Sequence, residues 1–348
     1  MDRFPALELE YVTPDGRSTE WPRGVLGAAV FDRLPQRRAA GGDPGFPVAE
    51  VSLPVLGEAG EVLELWRVGD EVRAGAHGRV RYTCSSDVLF GSLSLDEHDV
   101  PAAANPGRHS ALYESTARAY RDIFATLAAV GHPHLLRVWN YIPDINLETH
   151  GLERYRQFNS ARQEALIACG RSVTGSVPAA SALGAASGSP LVIYFLASRV
   201  APALIENPRQ VSAYHYPAQY GRRSPAFSRA AVLGRNEAAA LFISGTASIV
   251  GHRSMHTGDP VAQTRETLRN IEALLEQAGR TALGRKLPLD ALAYKVYVRD
   301  PRDLPLIRAE LSHAIAAEAS VIYLEADICR RDLAVEIEAF GSRAREWC

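Results

Sequence analysis

Nowhere do the 348 residues stay apolar for the roughly 20 positions a membrane-spanning helix needs. The opening MDRFPALELEYVTPDG also lacks the basic-then-apolar order of a secretory signal, so a cytoplasmic protein is expected. Dense positive charge is missing as well: 38 Lys and Arg face 40 Asp and Glu, without the clustered cations that bind nucleic-acid phosphates. Cysteine is scarce. Cys84, Cys169, Cys329 and Cys348 have neither paired nor metal-type spacing, which argues against a disulfide framework or a zinc site. No metal or organic cofactor is implied. The expected partner is a small molecule, with neither nucleic acid nor membrane.

The chain is long enough for two domains, and from about residue 50 an α/β pattern occurs twice. In the second half ALFISGTASI (240–249) reads as a buried strand. Asp259-Pro260 offers an N-cap followed by proline at the first helical position. Leu268, Ile271, Leu275 and Ala278 recur at helical spacing, and Gly279 is expected to end that helix in the left-handed conformation. A strand over 291–298, a helix over 304–317 and strands at 321–325 and 333–340 follow. The first half repeats the order: strand 88–95, a helix stopped by Gly131, strand 134–142, helix 152–169 and strand 191–196. Residues 1–45, rich in Pro, Gly and Arg without periodicity, are expected to form an irregular arm.

The phrases SPAFSRA, LFISGTASI, QTRETLRNIEALLEQAG, AYKVYVRDPRDL and VEIEAF, in this order over about 207–341, resemble the RidA/YjgF family. NYIPDIN, GLERYRQFN, NPRQVSAYHYP, FISGTASIVGH and EADICRRDLAVEIEAF, over about 135–341, resemble the chorismatases, whose two fused RidA-like halves cut chorismate. The resemblance implies an α/β (α+β) fold of two β-α-β units forming a pseudo-oligomer within one chain, and a monomer. An N-terminal RidA-like domain (46–204) would lack the catalytic acid and a C-terminal one (205–348) would carry it. Aligning LVIYFLA with AVEIEAF places Ile193 opposite Glu336.

The implied reaction releases the enolpyruvyl group of chorismate as pyruvate and needs an acid to protonate its methylene. The resemblance assigns that role to Glu336, and strand alternation sends Glu336 and Glu338 to one face. Burial would raise the pKa enough to keep a carboxyl protonated near neutrality. Two substrate carboxylates call for arginines and phenols. Helical spacing groups Tyr155, Phe158 and Arg162, turning Arg154 and Arg156 elsewhere, and the segment 214–223 offers Tyr214, Tyr220 and Arg223. The substrate-binding expectation is therefore Tyr155, Arg162, Tyr214, Tyr220, Arg223 and Gly245. Lys295 and Tyr297, alternating with Val296 and Val298, fit either a cleft-facing or an exposed strand face and stay outside the catalytic set.

In the family pattern, glycine at 245 and cysteine seven positions before the acid, here Cys329, imply 3-hydroxybenzoate formation; hydrolytic members tend to have alanine for that glycine. A missing methyl at 245 would let the ring settle so that its own 4-hydroxyl outcompetes water. Cys329 is expected to shape the site or handle a proton. The alternatives are hydrolysis to a dihydroxycyclohexadiene carboxylate and a non-catalytic binding protein. The arginine with which RidA proteins hold imino acids falls at Val321 or Ser320, which disfavours imine deamination.

Overall fold

The computed structural model describes residues 7–13, 21–32, 43–57, 60–99, 110–234 and 239–342; Cys348 lies outside them. Three sheets share one interior. The first contains β1 (Leu7–Val12), β2 (Val25–Asp32), β3 (Val48–Ser52) and β4 (Val62–Val68) in the order β1-β4-β2-β3. At 7–12 and 25–32 paired strands replace the arm or irregular packing expected over 1–45; residues 1–6, 14–20 and 33–42 of that stretch lie outside the described residues. Leu7 and Leu9 alternate inward, β2 is buried over Val25–Phe31, and both strands pair with β4. A strand whose partner lies between about 30 and 60 residues onward gives little local signal.

The first half continues with β5 (Arg73–His77), β6 (Val80–Cys84), β7 (Val88–Leu95), α1 (Ala111–Val130) and β8 (His134–Pro143). A small hairpin, β9 (Glu148–Thr149) and β10 (Leu152–Glu153), precedes α2 (Arg154–Ala168), β11 (Ala179–Ala185) and β12 (Leu191–Ser198). Its sheet runs β5-β6-β7-β12-β8-β11. The second half contains β13 (Ala203–Ile205), β14 (Ala230–Leu233), β15 (Ala240–Ala247), the hairpin β16 (Ile249–Val250) and β17 (Arg253–Ser254), and α3 (Pro260–Ala278). It ends with β18 (Ala293–Val298), α4 (Leu304–Ser312), β19 (Val321–Glu325) and β20 (Val335–Ser342), giving the order β13-β14-β15-β20-β18-β19. The two orders are the same element for element, and in each only the last pair is parallel. The duplicated unit is therefore present, and β5, β6, β11, β13 and β14 extend it beyond the strands expected from the sequence.

Helices cover the outer faces. Leu112, Ile123 and Phe158 pack with Val138, Ile193 and Phe195, while Ile271 and Leu275 pack with Leu241, Val296 and Ile337. The inner faces of all three sheets meet in one core containing Phe31, Trp66, Trp139, Tyr194, Phe242 and Phe340. Asp259 caps α3 by accepting from the Ala262 amide at 2.9 Å, as expected. Gly131 takes its left-handed position, but Gly279 does not: its φ is −58°, and the chain passes through one wider turn before Gly284 reverses it. Gly279 is needed for a different reason, since a Cβ there would lie 2.7 Å from the Lys286 nitrogen.

Register corrects the alignment of the halves. Leu196 faces Phe90 across β7, and Phe340 faces Phe242 across β15. Counting back from these matched pairs puts Val192 in the place of Glu336 and Tyr194 in that of Glu338. Ile193 instead joins the helix-side core, as Ile337 does. A one-residue slip exchanges the two faces of a strand.

Candidate active site

The seam between the halves runs where β11 lies against β14 and β15: the Ala180 amide donates to Ser244 Oγ at 2.9 Å, and the Gly245 amide to Ser181 Oγ at 2.9 Å. At this point β15 bulges, leaving Ser244 and Gly245 outside the ladder with β20. Beside the seam opens a cleft of about 490 Å³, within the usual size of small-molecule sites. Tyr155 and Arg156 of α2 form one wall. Tyr216, Tyr220, the β16–β17 hairpin and the loop 329–332 form the other. Both halves thus build it.

Glu336 lies behind Cys329, whose Sγ is 3.9 Å from Glu336 Oε2. It is 4 % exposed. Burial first, and then the charge of Glu338, push its carboxyl up to about 8, against the pull of Arg137, Arg229 and Arg299. Glu338, equally buried, goes the other way: burial opposes its charge, but Lys295 and Arg137 outweigh burial and hold it below the usual range. Two carboxyls on one strand face are therefore divided into an acid and an anion, the pattern that assigns acid–base roles. Cys329 lines the cleft, and burial followed by the proximity of Glu336 pushes its thiol up to about 12. It is a neutral thiol near pH 7, which removes the thiolate a nucleophilic role would need.

Gly245 explains the placement of the acid. A Cβ there would lie 1.9 Å from Glu336 Oε1 and 3.0 Å from Ser181 Oγ. The room expected for the substrate ring is occupied by the carboxyl of Glu336.

Tyr155 and Tyr220 reach the cleft as expected, with the Tyr220 hydroxyl donating to the His252 carbonyl at 2.7 Å. Arg162, Tyr214 and Arg223 are not on its walls. Arg162 does share a face with Tyr155 and Phe158, but that face is interior: the guanidinium lies 5.0 Å from the Phe158 ring and donates to Asn159 Oδ1 at 3.0 Å. Tyr214 packs against the helix-side core of the first half. Arg223 is exposed and close to Tyr113.

The sequence reading passed over Arg330 as an anion ligand. Its guanidinium lies 4.1 Å from the Tyr220 ring and 5.1 Å from that of Tyr216, and Nη1 donates to the His252 carbonyl at 2.9 Å and to Ser254 Oγ at 3.2 Å. Its Nη2 is buried with no hydrogen-bond partner, so one donor is held in reserve at the cleft. Arg156, expected to turn elsewhere, is also on the wall. Arg299 fastens the loop behind them, donating to the carbonyls of Ile328 at 3.0 Å, Arg330 at 2.8 Å and Leu333 at 2.8 Å. Asn146, from NYIPDIN, holds the same loop through the Ile328 carbonyl at 3.1 Å. The doublet in ICRRDL was the available signal, but only the fold shows which atoms of Arg330 remain unpaired.

A buried carboxyl with a raised pKa behind an arginine-bearing cleft, walled by both duplicated halves, gives a two-lobed site suited to an anionic small molecule. Residues 64–197 match the family described as Chorismatase FkbO/Hyg5-like, N-terminal. A 3-hydroxybenzoate synthase of Streptomyces hygroscopicus is 37 % identical over 305 residues, 85 % of this chain and 86 % of that protein. A chorismatase of Streptomyces rapamycinicus is 39 % identical over 79 % of this chain and 80 % of its own. A chorismatase crystal structure at 1.08 Å superposes with a TM-score of 0.87 at 31 % identity, covering 97 % of this chain and 99 % of that one. The chain belongs to the chorismatase family.

Proposed function

We propose that this protein converts chorismate to 3-hydroxybenzoate and pyruvate, with Glu336 as the acid. The observation that carries the reading is the buried carboxyl of Glu336, held up to about 8 directly behind the cleft. Glu336 protonates the enol methylene, creating an oxocarbenium-like group. The bond from ring C3 to the ether oxygen then breaks, its electrons completing the pyruvate carbonyl. The substrate's 4-hydroxyl attacks C3 and returns its proton to Glu336. Opening of the resulting arene oxide at C4, with loss of the C3 proton, gives 3-hydroxybenzoate.

An intramolecular hydroxyl held in line competes with water at an effective molarity of roughly 10⁵ M or more. Gly245 gives the Glu336 carboxyl its place at the bulge, which either branch needs, and the 3-hydroxybenzoate synthase among the relatives supports the intramolecular one. In this reading the Arg330 Nη2, with Arg156 opposite, receives substrate carboxylate, and Tyr155 and Tyr220 contact the ring. Cys329 fills the space between cleft and acid as a neutral thiol. Arg162 stays beneath Tyr155, and Tyr214 and Arg223 take no part. The working unit is a monomer, because one chain supplies both walls; its two halves begin after β4 and at β13 rather than at 46 and 205, since β3 and β4 belong to the N-terminal sheet.

Purified protein incubated with chorismate tests the reading, with pyruvate followed by a coupled dehydrogenase and the ring product by chromatography and mass spectrometry. The expected result is equimolar pyruvate and 3-hydroxybenzoate. A dihydroxydiene product would replace the intramolecular branch with hydrolysis, and absence of pyruvate would overturn the activity.

A further inference from the structure

The interior where the three sheets meet contains four buried charges: Glu64 from the N-terminal sheet, Arg137 from the first half, and Lys295 and Glu338 from the second, none more than 5 % exposed. Their geometry centres on Glu338. Its Oε1 accepts from Trp139 Nε1 at 2.7 Å and lies 2.8 Å from Lys295 Nζ. Its Oε2 accepts from Arg137 Nη2 at 2.5 Å and from Ser181 Oγ at 2.7 Å. Both oxygens of Glu338 are therefore saturated by donors, an arrangement that fits a carboxylate and leaves no place for a proton. Lys295 is shared with Glu64 and also donates to the Tyr194 hydroxyl at 2.9 Å. The cluster of two cations and two anions is neutral, as a buried cluster must nearly be.

Resting on the reading of Glu336 as the acid, we propose that Glu338 is the positioning residue of the reaction: its anion, fixed by Lys295 and Arg137, disfavours a second negative charge on the adjacent carboxyl and keeps Glu336 in its acid form. The half without an acid thereby serves the acid, since Arg137, Trp139 and Ser181 all come from it. Ser181 joins the two parts, accepting from the Gly245 amide at 2.9 Å while donating to Glu338. The other charges facing Glu336 act in the opposite sense: Arg229 before β14 and Arg299 after β18 favour its ionised form, as does Arg137 on β8. Tyr297, its partner across β18, and Cys329 and Tyr155 toward the cleft are all pushed toward their neutral forms. Besides burial, Glu338 alone among these neighbours repels the charge.

The test is the alkaline limb of kcat/KM for pyruvate release. Glu338→Gln should move its midpoint down by roughly one to two pH units, the effect of one charge two strand residues away, about 7 Å by the rise of a strand, in a medium of effective dielectric about 20. Glu338→Asp, which retains the charge, should restore most of the shift; a loss of packing alone would not move the midpoint and would not be rescued in this way. An unmoved limb in Glu338→Gln, with Glu336→Gln inactive, overturns the positioning role alone. Pyruvate release by Glu336→Gln removes the acid assignment beneath it. Should Glu338→Gln fail to fold, carboxyl ¹³C NMR of the intact wild-type chain decides, with the Glu336 signal assigned by its loss in Glu336→Gln. Glu338 ionised throughout neutral pH while Glu336 titrates near 8 supports the proposal, and Glu338 protonated at pH 7 overturns it.

Discussion

In the first half, Trp139 and Tyr194 are paired across β8 and β12 and stack at 4.6 Å with their rings 17° apart. At the matching position of the second half, Lys295 and Glu338 face each other across β18 and β20 as an ion pair. One step further along, Tyr141 faces Val192 in the first copy and Tyr297 faces Glu336 in the second. The backbones, strand orders and helix positions correspond. The inward side chains of the paired central strands differ in charge. A duplicated unit can thus keep its fold through apolar helix-facing residues while the inner face of each copy takes a separate role, one with aromatic surface and Arg137, the other with an acid, its neighbouring anion and Lys295. The cleft needs both.

The largest expected effect in testing that contrast comes from removing the acid that only the second copy has. Glu336→Gln should lower kcat for pyruvate release by at least about a hundredfold, the usual contribution of a positioned general acid, with chorismate still bound in equilibrium dialysis. Making the copies alike at the bulge is next. Gly245→Ala sets a methyl against Glu336 Oε1, and displacing a catalytic group by about 1 Å can cost up to about a hundredfold. Product analysis should also show a larger share of the water-derived dihydroxydiene.

Inserting an acid into the first copy breaks the comparison from the other side. Val192 is buried among aromatic and aliphatic neighbours, so Val192→Glu introduces a carboxyl without built partners and should lower stability by about 3 kcal/mol in urea unfolding, with no second activity. Arg330→Lys keeps the charge at the cleft but loses the planar fork, and should raise KM by roughly tenfold with kcat little changed. The smallest perturbation is pH alone. Because the acid form of Glu336 is the active one and its carboxyl is held up to about 8, activity should fall with a slope of one proton as pH rises through about 8. The sign for stability is the same. Raised from its ordinary 4.5, this group contributes fully below that value, and its contribution declines as pH rises to about 8. Urea midpoints across that range should show the decline.

The duplicated order of strands and helices was legible because alternation and helical spacing are local: Asp259-Pro260, the 268/271/275/278 stripe and Gly131 each act within a few residues. The pair Glu336 and Glu338 was legible for the same reason, since period-two alternation fixes a shared face. The N-terminal sheet was not, because β1 and β2 acquire their meaning only from β4. The buried place of Lys295 was not legible on related grounds. A lysine alternating with valines looks like the solvent side of an edge strand, and nothing local tells that Glu64, more than 200 positions earlier, is waiting to receive its charge.

The sequence by itself determined that the chain is two copies of one α/β unit, that the second alone has a carboxyl at the decisive strand position, and that glycine and cysteine accompany it. The tertiary structure decided which guanidinium brings an unpaired donor to the cleft, why the glycine is needed and which of two neighbouring carboxyls is pushed toward its acid form. Those outcomes depend on burial and on charges brought together from three sheets, and such energies depend on distances through space that spacing along the chain does not encode.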